Sequence, residues 1–415
     1  MCLRTTGRAL NVTQWLSLTS EIQTIFLEEG SKIPMVYGID SVHGAIFIEG
    51  ATYFPQQLGA AASFNRDLVS QMGSITAKDS RLVGTPWIFG PILDLATEPR
   101  WARVYETFGE DPYVVGELGR AIISGMQGAS LASETTAAAC MKHFLGYGEP
   151  RTGKDRNPNW IPDRFLYEYF VPPFQAAVDG GVATAMESYN DINGEPVCAS
   201  EKYLRKLLRE EMGFKGMLVT DWAEIKDLNR FHMIAPTEKD ATRITMQRTS
   251  VDMSMVAIGL TFFDYMMELV AEGAVPESRL DESVGRILQL KEDLNLFENP
   301  MPNPNSPLLS TIGGAADRQV ALDLCRESVT LLENPNNVTF FSFFFLLSFF
   351  LSFFLSFFLS FFLSFLLLLL LDLVTASQWC VVLSRFSPWT PRRPPVFWWP
   401  GPVPTPCPTC VAAGP

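Results

Sequence analysis

Excess positive charge, histidine, a cysteine framework and a phosphate-binding glycine loop are all missing from this 415-residue chain. Lys and Arg number 32 against 45 Asp and Glu, for a net charge of −13. No basic footprint exists, so no nucleic-acid partner is expected. An acidic surface suits a soluble enzyme of neutral substrates. Three histidines are too few for a histidine-rich metal site. The cysteines, Cys2, Cys140, Cys198, Cys325, Cys380, Cys407 and Cys410, are too scattered for disulfides to organise a fold. Cys407 and Cys410 form a lone CxxC in a proline-rich tail, with no second pair beside it. No P-loop or GxGxxG fingerprint is present, which argues against nucleotides. The first residues, "MCLRTTGRALNVTQWLSL", lack the apolar run of a signal peptide. Asn11-Val12-Thr13 and Asn337-Val338-Thr339 fit the glycosylation sequon and lend only weak support to a secretory route.

What is present is a globular composition, 47% hydrophobic and 19% charged, in a chain long enough for one large barrel or two to three domains. Six short apolar runs read as strands: 33–40, 86–95, 137–146, 181–190, 216–222 and 250–255. Amphipathic segments at 110–129, 163–179, 200–212, 258–273 and 279–297 read as helices. Steady strand–helix alternation predicts a parallel sheet. Most of these strands end in polar residues: Asp40, Asp94, Lys142 with His143, Ser188 with Asn190, and Asp221. Polar side chains collected at the C-terminal ends of parallel strands are what the active face of a (β/α)8 TIM-like barrel requires. The predicted fold class is therefore α/β, with that barrel over residues 1–300.

Residues 301–311 form a proline- and asparagine-rich linker. Residues 314–334 read as a helix leading into a strand, so 312–337 looks like the first unit of a second, truncated domain. Residues 338–371 are a Phe/Leu/Ser repeat and 372–415 a disordered Pro-rich tail. A repeated TTTC tetranucleotide translates to Phe-Leu-Ser-Phe in every forward frame, so the repeat reads as translated repeat DNA. Read as protein, uncharged 339–371 would make a helix of about 50 Å, long enough for a hydrocarbon core of ~30 Å. Membrane partnership through that segment is the competing expectation, with Arg385, Arg392 and Arg393 weakly favouring a cytoplasmic tail.

The polar strand ends suit a sugar, which offers many hydroxyls and one apolar ring face. Binding it takes carboxylate acceptors, cationic donors and an aromatic platform. "GIDSVHG" supplies Asp40, "PRWARVYETFGEDP" supplies Arg103, "MKHFLGYG" supplies Lys142 and His143, "MESYN" supplies Tyr189, and Trp222 follows Asp221 in "LVTDW". Taken together, "YGIDSVHG", "GPILDLATEPRWARVYETFGEDP", "KHFLGYG" and "LVTDW" resemble glycoside hydrolase family 3, the β-glucosidase-like enzymes, over roughly residues 10–334.

The resemblance implies a barrel followed by an α/β sandwich domain, of which 312–337 would be the truncated start, and a retaining mechanism without metal or organic cofactor. Asp221 falls on the family's nucleophile. Asp40, Arg103, Lys142, His143, Tyr189 and Trp222 fall on substrate-holding positions. The implied activity is an exo-acting β-glucosidase that removes terminal β-D-glucosyl residues from oligosaccharides and glucosides in carbohydrate catabolism. An extracellular or lysosomal location follows from the family. The family's acid/base glutamate comes from its second domain, so this chain is expected to lack it and to act poorly on ordinary glycosides. The branch acting on N-acetylglucosaminides carries a second histidine where this chain has Tyr147, which favours glucosides. A β-xylosidase, or a non-catalytic sugar-binding or membrane-tethered barrel, are the alternatives.

Other residues have plainer readings. Asp221 alone is equally a helix cap. His43 reads as structural, and Met253 and Met255 as packing. Glu106, Asp94 and Glu187 read as ion-pair partners of Arg100 and Arg103, and Asp252 as a residue that helps shape the pocket.

Overall fold

All six apolar runs contain a strand position of one curled parallel sheet. In the computed structural model, which describes residues 9–256 and 258–333, strands β1 (Gly38–Ile39), β2 (Trp87–Ile88), β3 (Ala138–Phe144), β4 (Thr184–Glu187) and β7 (Met217–Val219) pair in sequence order. A parallel bridge from Val219 to Met253 adds the sixth position. β5 (Asp191–Ile192) and β6 (Glu195–Pro196) form a small antiparallel hairpin after β4. Helices intervene as the right-handed crossovers of a parallel sheet demand. Among them are Arg66–Leu82, Pro112–Gln127, Val171–Asp179 and Lys202–Glu211. The α/β, TIM-like reading of the sequence is the observed fold.

Burial explains the runs. Every residue of β3 is buried, as a strand covered on both faces must be. Alternate side chains serve different layers. Ala137, Ala139 and Met141 join the outer core beneath the helices, with Ile122, Phe174 and Leu207. Ala138 and Cys140 face the concave side, with Trp87, Phe89, Met186 and Val219. The Trp87 indole N–H reaches across β3 to donate to the Thr184 hydroxyl at 2.8 Å. That bond spans one strand and records the curl of the sheet. Gly38 is needed for the same packing, because a Cβ there would lie 2.3 Å from the Phe89 ring.

The helix ends follow their local signals. Asn65 caps Arg66–Leu82 by accepting from Leu68 N–H, and Asp111 caps Pro112–Gln127 with proline at its first position. Asn11, half of a predicted sequon, is an N-cap in a reciprocal capping box with Gln14. Such a cap is worth ~1 kcal/mol.

Residues Met1–Leu331 form one compact unit. Within it, helix Ala315–Glu327 lies against helix Arg66–Leu82. Lys78 pairs with Asp317 at 2.7 Å, and Asn65 donates to Glu327 at 2.8 Å. The strand predicted after this helix is absent among the described residues, since 328–333 carry no strand. No helix among the described residues is long and apolar enough to cross a membrane. The repeat at 338–371, the tail at 372–415 and Asn337 lie outside the described residues.

Candidate active site

The strand ends converge on a cavity of about 360 Å³, within the range of small-molecule sites. All seven predicted site residues line it: Asp40 after β1, Arg103 from the loop after β2, Lys142 and His143 at the end of β3, Tyr189 after β4, and Asp221 with Trp222 after β7. Consecutive side chains of a regular strand point to opposite faces. Lys142 and His143 both face the cavity because the β3–β4 register shifts between Met141 and Phe144.

Asp221 stands at the floor, 8% exposed. Its Oδ1 accepts the Trp222 N–H at 2.5 Å, and its own N–H donates to Glu187 Oε1 at 3.2 Å. It does not cap the helix that follows. Ala223, in left-handed conformation, holds the cap position of Glu224–Arg230 without a side-chain bond. Burial pushes the Asp221 carboxyl above its ordinary range. Lys142, the Tyr189 hydroxyl, the Trp222 N–H and Arg103 all act against that rise. These are groups that favour the anion, the form a nucleophile needs.

A buried relay holds the cations in place. Arg103 grips Glu106 with two parallel bonds, 2.9 and 2.7 Å, as the sequence reading expected of that pair. Its Nη2 also lies 3.1 Å from His143 Nε2. Since guanidinium only donates, Nε2 must accept, and the imidazole proton sits on Nδ1. That Nδ1–H donates to Asp94 Oδ2 at 2.7 Å, an oxygen that also accepts the His143 backbone N–H. Burial, then Arg103 and Lys142, push the imidazole well below its usual pKa. The 3.5 Å approach of His143 Nε2 to Asp221 is therefore not an ion pair. His143 orients Arg103 as a neutral ring. Burial raises Asp94 to about 7, against the pull of His143, Arg103 and Lys142. Lys142 donates to Asp40 at 2.8 Å, tying β3 to β1.

Phe89, Tyr189 and Trp222 give the cavity aromatic walls, backed by further buried rings. Tyr147 packs edge-on against Trp101 and His143, at 5.0 and 5.1 Å between centroids, and beside Tyr189 at 5.9 Å. Tyr189 OH accepts the Trp222 N–H at 3.1 Å, which sets the start of the Trp222 loop. The Trp222 ring itself is 40% exposed at the rim.

Three minor readings change. Asp94 pairs with His143 and does not bond Arg100 or Arg103. Arg100 is instead bound by Glu98. Glu187 belongs to no arginine pair. It is fully buried beneath Asp221, its Oε2 has no partner, and burial followed by Glu224 and Asp221 pushes its carboxyl well above the usual range. Asp252 does not line the cavity, because Arg209, Arg286, Ser283 and Leu218 N–H occupy both its oxygens. Met255 packs against the concave-side core, as expected, and also borders the cavity. His43 is structural, held by Phe54 O and Gln56. Asp155 and Arg156 also line the cavity, from the loop that follows β3. Sequence reasoning passed over them. The available signal was a charged "GKDR" in a loop longer than its connection needs.

Residues 3–290 match the model of the glycosyl hydrolase family 3 N terminal domain. A lysosomal beta glucosidase of Dictyostelium discoideum is 45% identical over 336 residues, 79% of this chain and 41% of that protein. A beta-xylosidase of Formosa agariphila is 32% identical over 317 residues, 73% of this chain and 43% of that protein. Among solved structures, a beta-glucosidase from Listeria innocua in complex with glucose superposes with a TM-score of 0.72 at 33% identity, covering 77% of this chain and 43% of that one. The chain thus spans about two fifths of the length of the relatives it matches.

Proposed function

This chain belongs to glycosyl hydrolase family 3, and from that premise we propose that it carries the sugar-binding and nucleophilic half of a retaining exo-β-glucosidase. The observation that carries the reading is Asp221: a buried carboxylate at a strand end, open to a cavity and surrounded by groups that favour its ionised form. In a retaining enzyme, two carboxyl groups about 5–5.5 Å apart flank the glycosidic bond. Asp221 is the attacking group and forms the glycosyl ester. Asp40, Arg103, Lys142, His143 and Tyr189 hold the sugar, and Trp222 offers it an apolar face at the rim.

The proton donor is a separate matter. Besides Asp221, the cavity carboxylates among the described residues are Asp40, Glu106 and Asp155. Asp40 is bound to Lys142, Glu106 to Arg103, and Asp155 to the Trp101 N–H. The reading assigns none of them as general acid and places the donor outside the described residues. General acid catalysis is commonly worth about 10²–10⁴-fold, so without that donor the site acts well on activated leaving groups and poorly on sugars.

A glucoside is favoured over a xyloside because the glucosidase relative is the more similar, 45% against 32% identity. The same relative's lysosomal designation supports an extracellular or lysosomal site of action. An activated aryl 2-deoxy-2-fluoro-β-glucoside tests the mechanism. Mass spectrometry should find one fluoroglucosyl group on the peptide holding Asp221, and none after Asp221→Asn. Labelling of any other carboxylate overturns the assignment. A variant among Asp40→Asn, Glu106→Gln and Asp155→Asn that loses ordinary glucosides but keeps activated ones would overturn the claim about the proton donor.

A further inference from the structure

Loop 149–162 brings two consecutive charged residues to the cavity, and nothing in the reading above uses them. Asp155 and Arg156 are held from several directions. The Trp101 indole N–H donates to Asp155 Oδ1 at 2.8 Å. The Arg156 guanidinium lies 3.6 Å from the centre of the Tyr189 ring, and its Nη1 is 3.7 Å from Asp227 Oδ2. Arg156 has φ +63, a left-handed conformation that a residue with a side chain seldom adopts. Such conformations persist where the surroundings over-determine them, and they cluster at ligand sites.

The loop beneath is built to hold that conformation. Arg151 N–H bonds Pro158 O, Asn157 N–H bonds Lys154 O, and Asn159 is tied to the β5–β6 hairpin through Asp191 O. Arg151 also stacks over Trp160 at 4.1 Å. An exposed connection with so many ties is preorganised, and preorganised polar groups at a cavity lower the cost of binding.

Height in the cavity indicates what these residues meet. Lys142 and His143 are almost wholly buried, whereas the Arg156 side chain is 40% exposed, as is Trp222. Tyr189 joins Arg156 to Trp222, so the two stand together at the mouth of the cavity. With the anomeric carbon above Asp221, the group leaving it points away from the floor, towards Arg156 and Trp222. An adjacent carboxylate and guanidinium offer one acceptor and several donors, a set suited to neighbouring hydroxyls.

We propose that Asp155 and Arg156 are specificity-determining residues that hold the hydroxyls of a sugar leaving group, giving the site a preference for disaccharides and longer glucans over a lone glucose. The inference rests on the proposed glucosidase reading and extends it to the leaving group. The test compares cellobiose with glucose by calorimetry. It uses the full chain bearing Asp221→Asn as parent, so that nothing turns over. Arg156→Ala and Arg156→Lys should weaken cellobiose about tenfold, the loss expected for charge-assisted bonds. Asp155→Asn, which keeps the Trp101 acceptor, should weaken cellobiose several-fold. Glucose affinity should stay within about twofold throughout. An equal loss for both sugars would place these residues on the non-reducing sugar, and no loss for either would leave them without a role. Both results overturn the proposal while leaving the glucosidase reading standing. A parent that binds neither sugar sinks both. Unfolding midpoints identify any variant that has failed to fold, and Arg156→Lys then stands as the decisive variant.

Discussion

Asp221 and Asp252 sit on neighbouring strand positions, equally buried, and each lies close to arginine. Their surroundings are opposite. Asp252 accepts from Arg286 (2.8 Å), Ser283 (3.1 Å), Arg209 (2.9 Å) and Leu218 N–H (2.9 Å), so neither oxygen has room for a ligand. Asp221 faces a cavity, with the Trp222 N–H on its Oδ1, the Tyr189 hydroxyl as a further donor and a neutral imidazole at 3.5 Å. A carboxylate whose acceptor sites are all filled inside the protein is structure. One whose acceptor sites are partly open to a void has capacity left for a substrate. Charge does not separate the two residues; the Asp252 carboxylate is wholly enclosed by donors, whereas that of Asp221 is 12% exposed to the cavity.

Substitutions should divide along the same line. Asp221→Asn should abolish glycosyl-enzyme formation, by about 10⁴-fold or more, with the unfolding midpoint almost unchanged; rapid-quench mass spectrometry reads the first and calorimetry the second. Asp252→Ala should do the reverse. It leaves Arg209 and Arg286 without their shared partner. The cost is ~3 kcal/mol and the midpoint falls by roughly 5–10 °C, while labelling of whatever remains folded proceeds normally. A loss of labelling rate without loss of stability would erase the distinction between the two aspartates.

Lys142→Met should move the acid limb of the labelling rate upward by about one pH unit. The sign follows from charge: a nearby cation favours the carboxylate, so removing it raises the pKa of Asp221 and demands a higher pH for ionisation. A downward shift would mean that Lys142 does not act on Asp221. Smallest of all is Glu187→Gln. Glu187 is held above the ordinary carboxylate range, so below that raised pKa it is already protonated, and the neutral amide should keep the rate within about threefold. Glu187→Ala, which removes the acceptor of the Asp221 N–H, should lose more.

Period and position made the barrel strands and the strand-end residues readable. Six apolar runs carried the sheet, and a polar residue closing an apolar run is a local signal. Residues whose role depends on long-range packing were not readable. Glu187 is four residues beyond Ala183 in a predicted strand, yet only the fold reveals that it lies under Asp221. Asp94 was expected beside arginine because arginine is near in sequence, whereas it binds His143 from another strand. Asp155 and Arg156 were hidden by their loop, where no periodicity says which side chains turn inward. The predicted strand after helix Ala315–Glu327 failed for a related reason. "SVTLLEN" has strand-like composition, but a strand exists only with a neighbour to pair with, and the described residues offer none.

The bond from Trp87 to Thr184 has a consequence for the cavity above it. It ties the second and fourth strands across the third, whose Ala138 and Cys140 share the indole's side of the sheet. The curvature of the sheet, and with it the spacing between Asp40, Lys142 and Asp221 at the strand ends, is thereby set from below by two small side chains. Ala138→Val would act as a wedge at the base of a fan. The ribs would splay, and the aperture presented to a sugar would widen with no residue at the rim having changed.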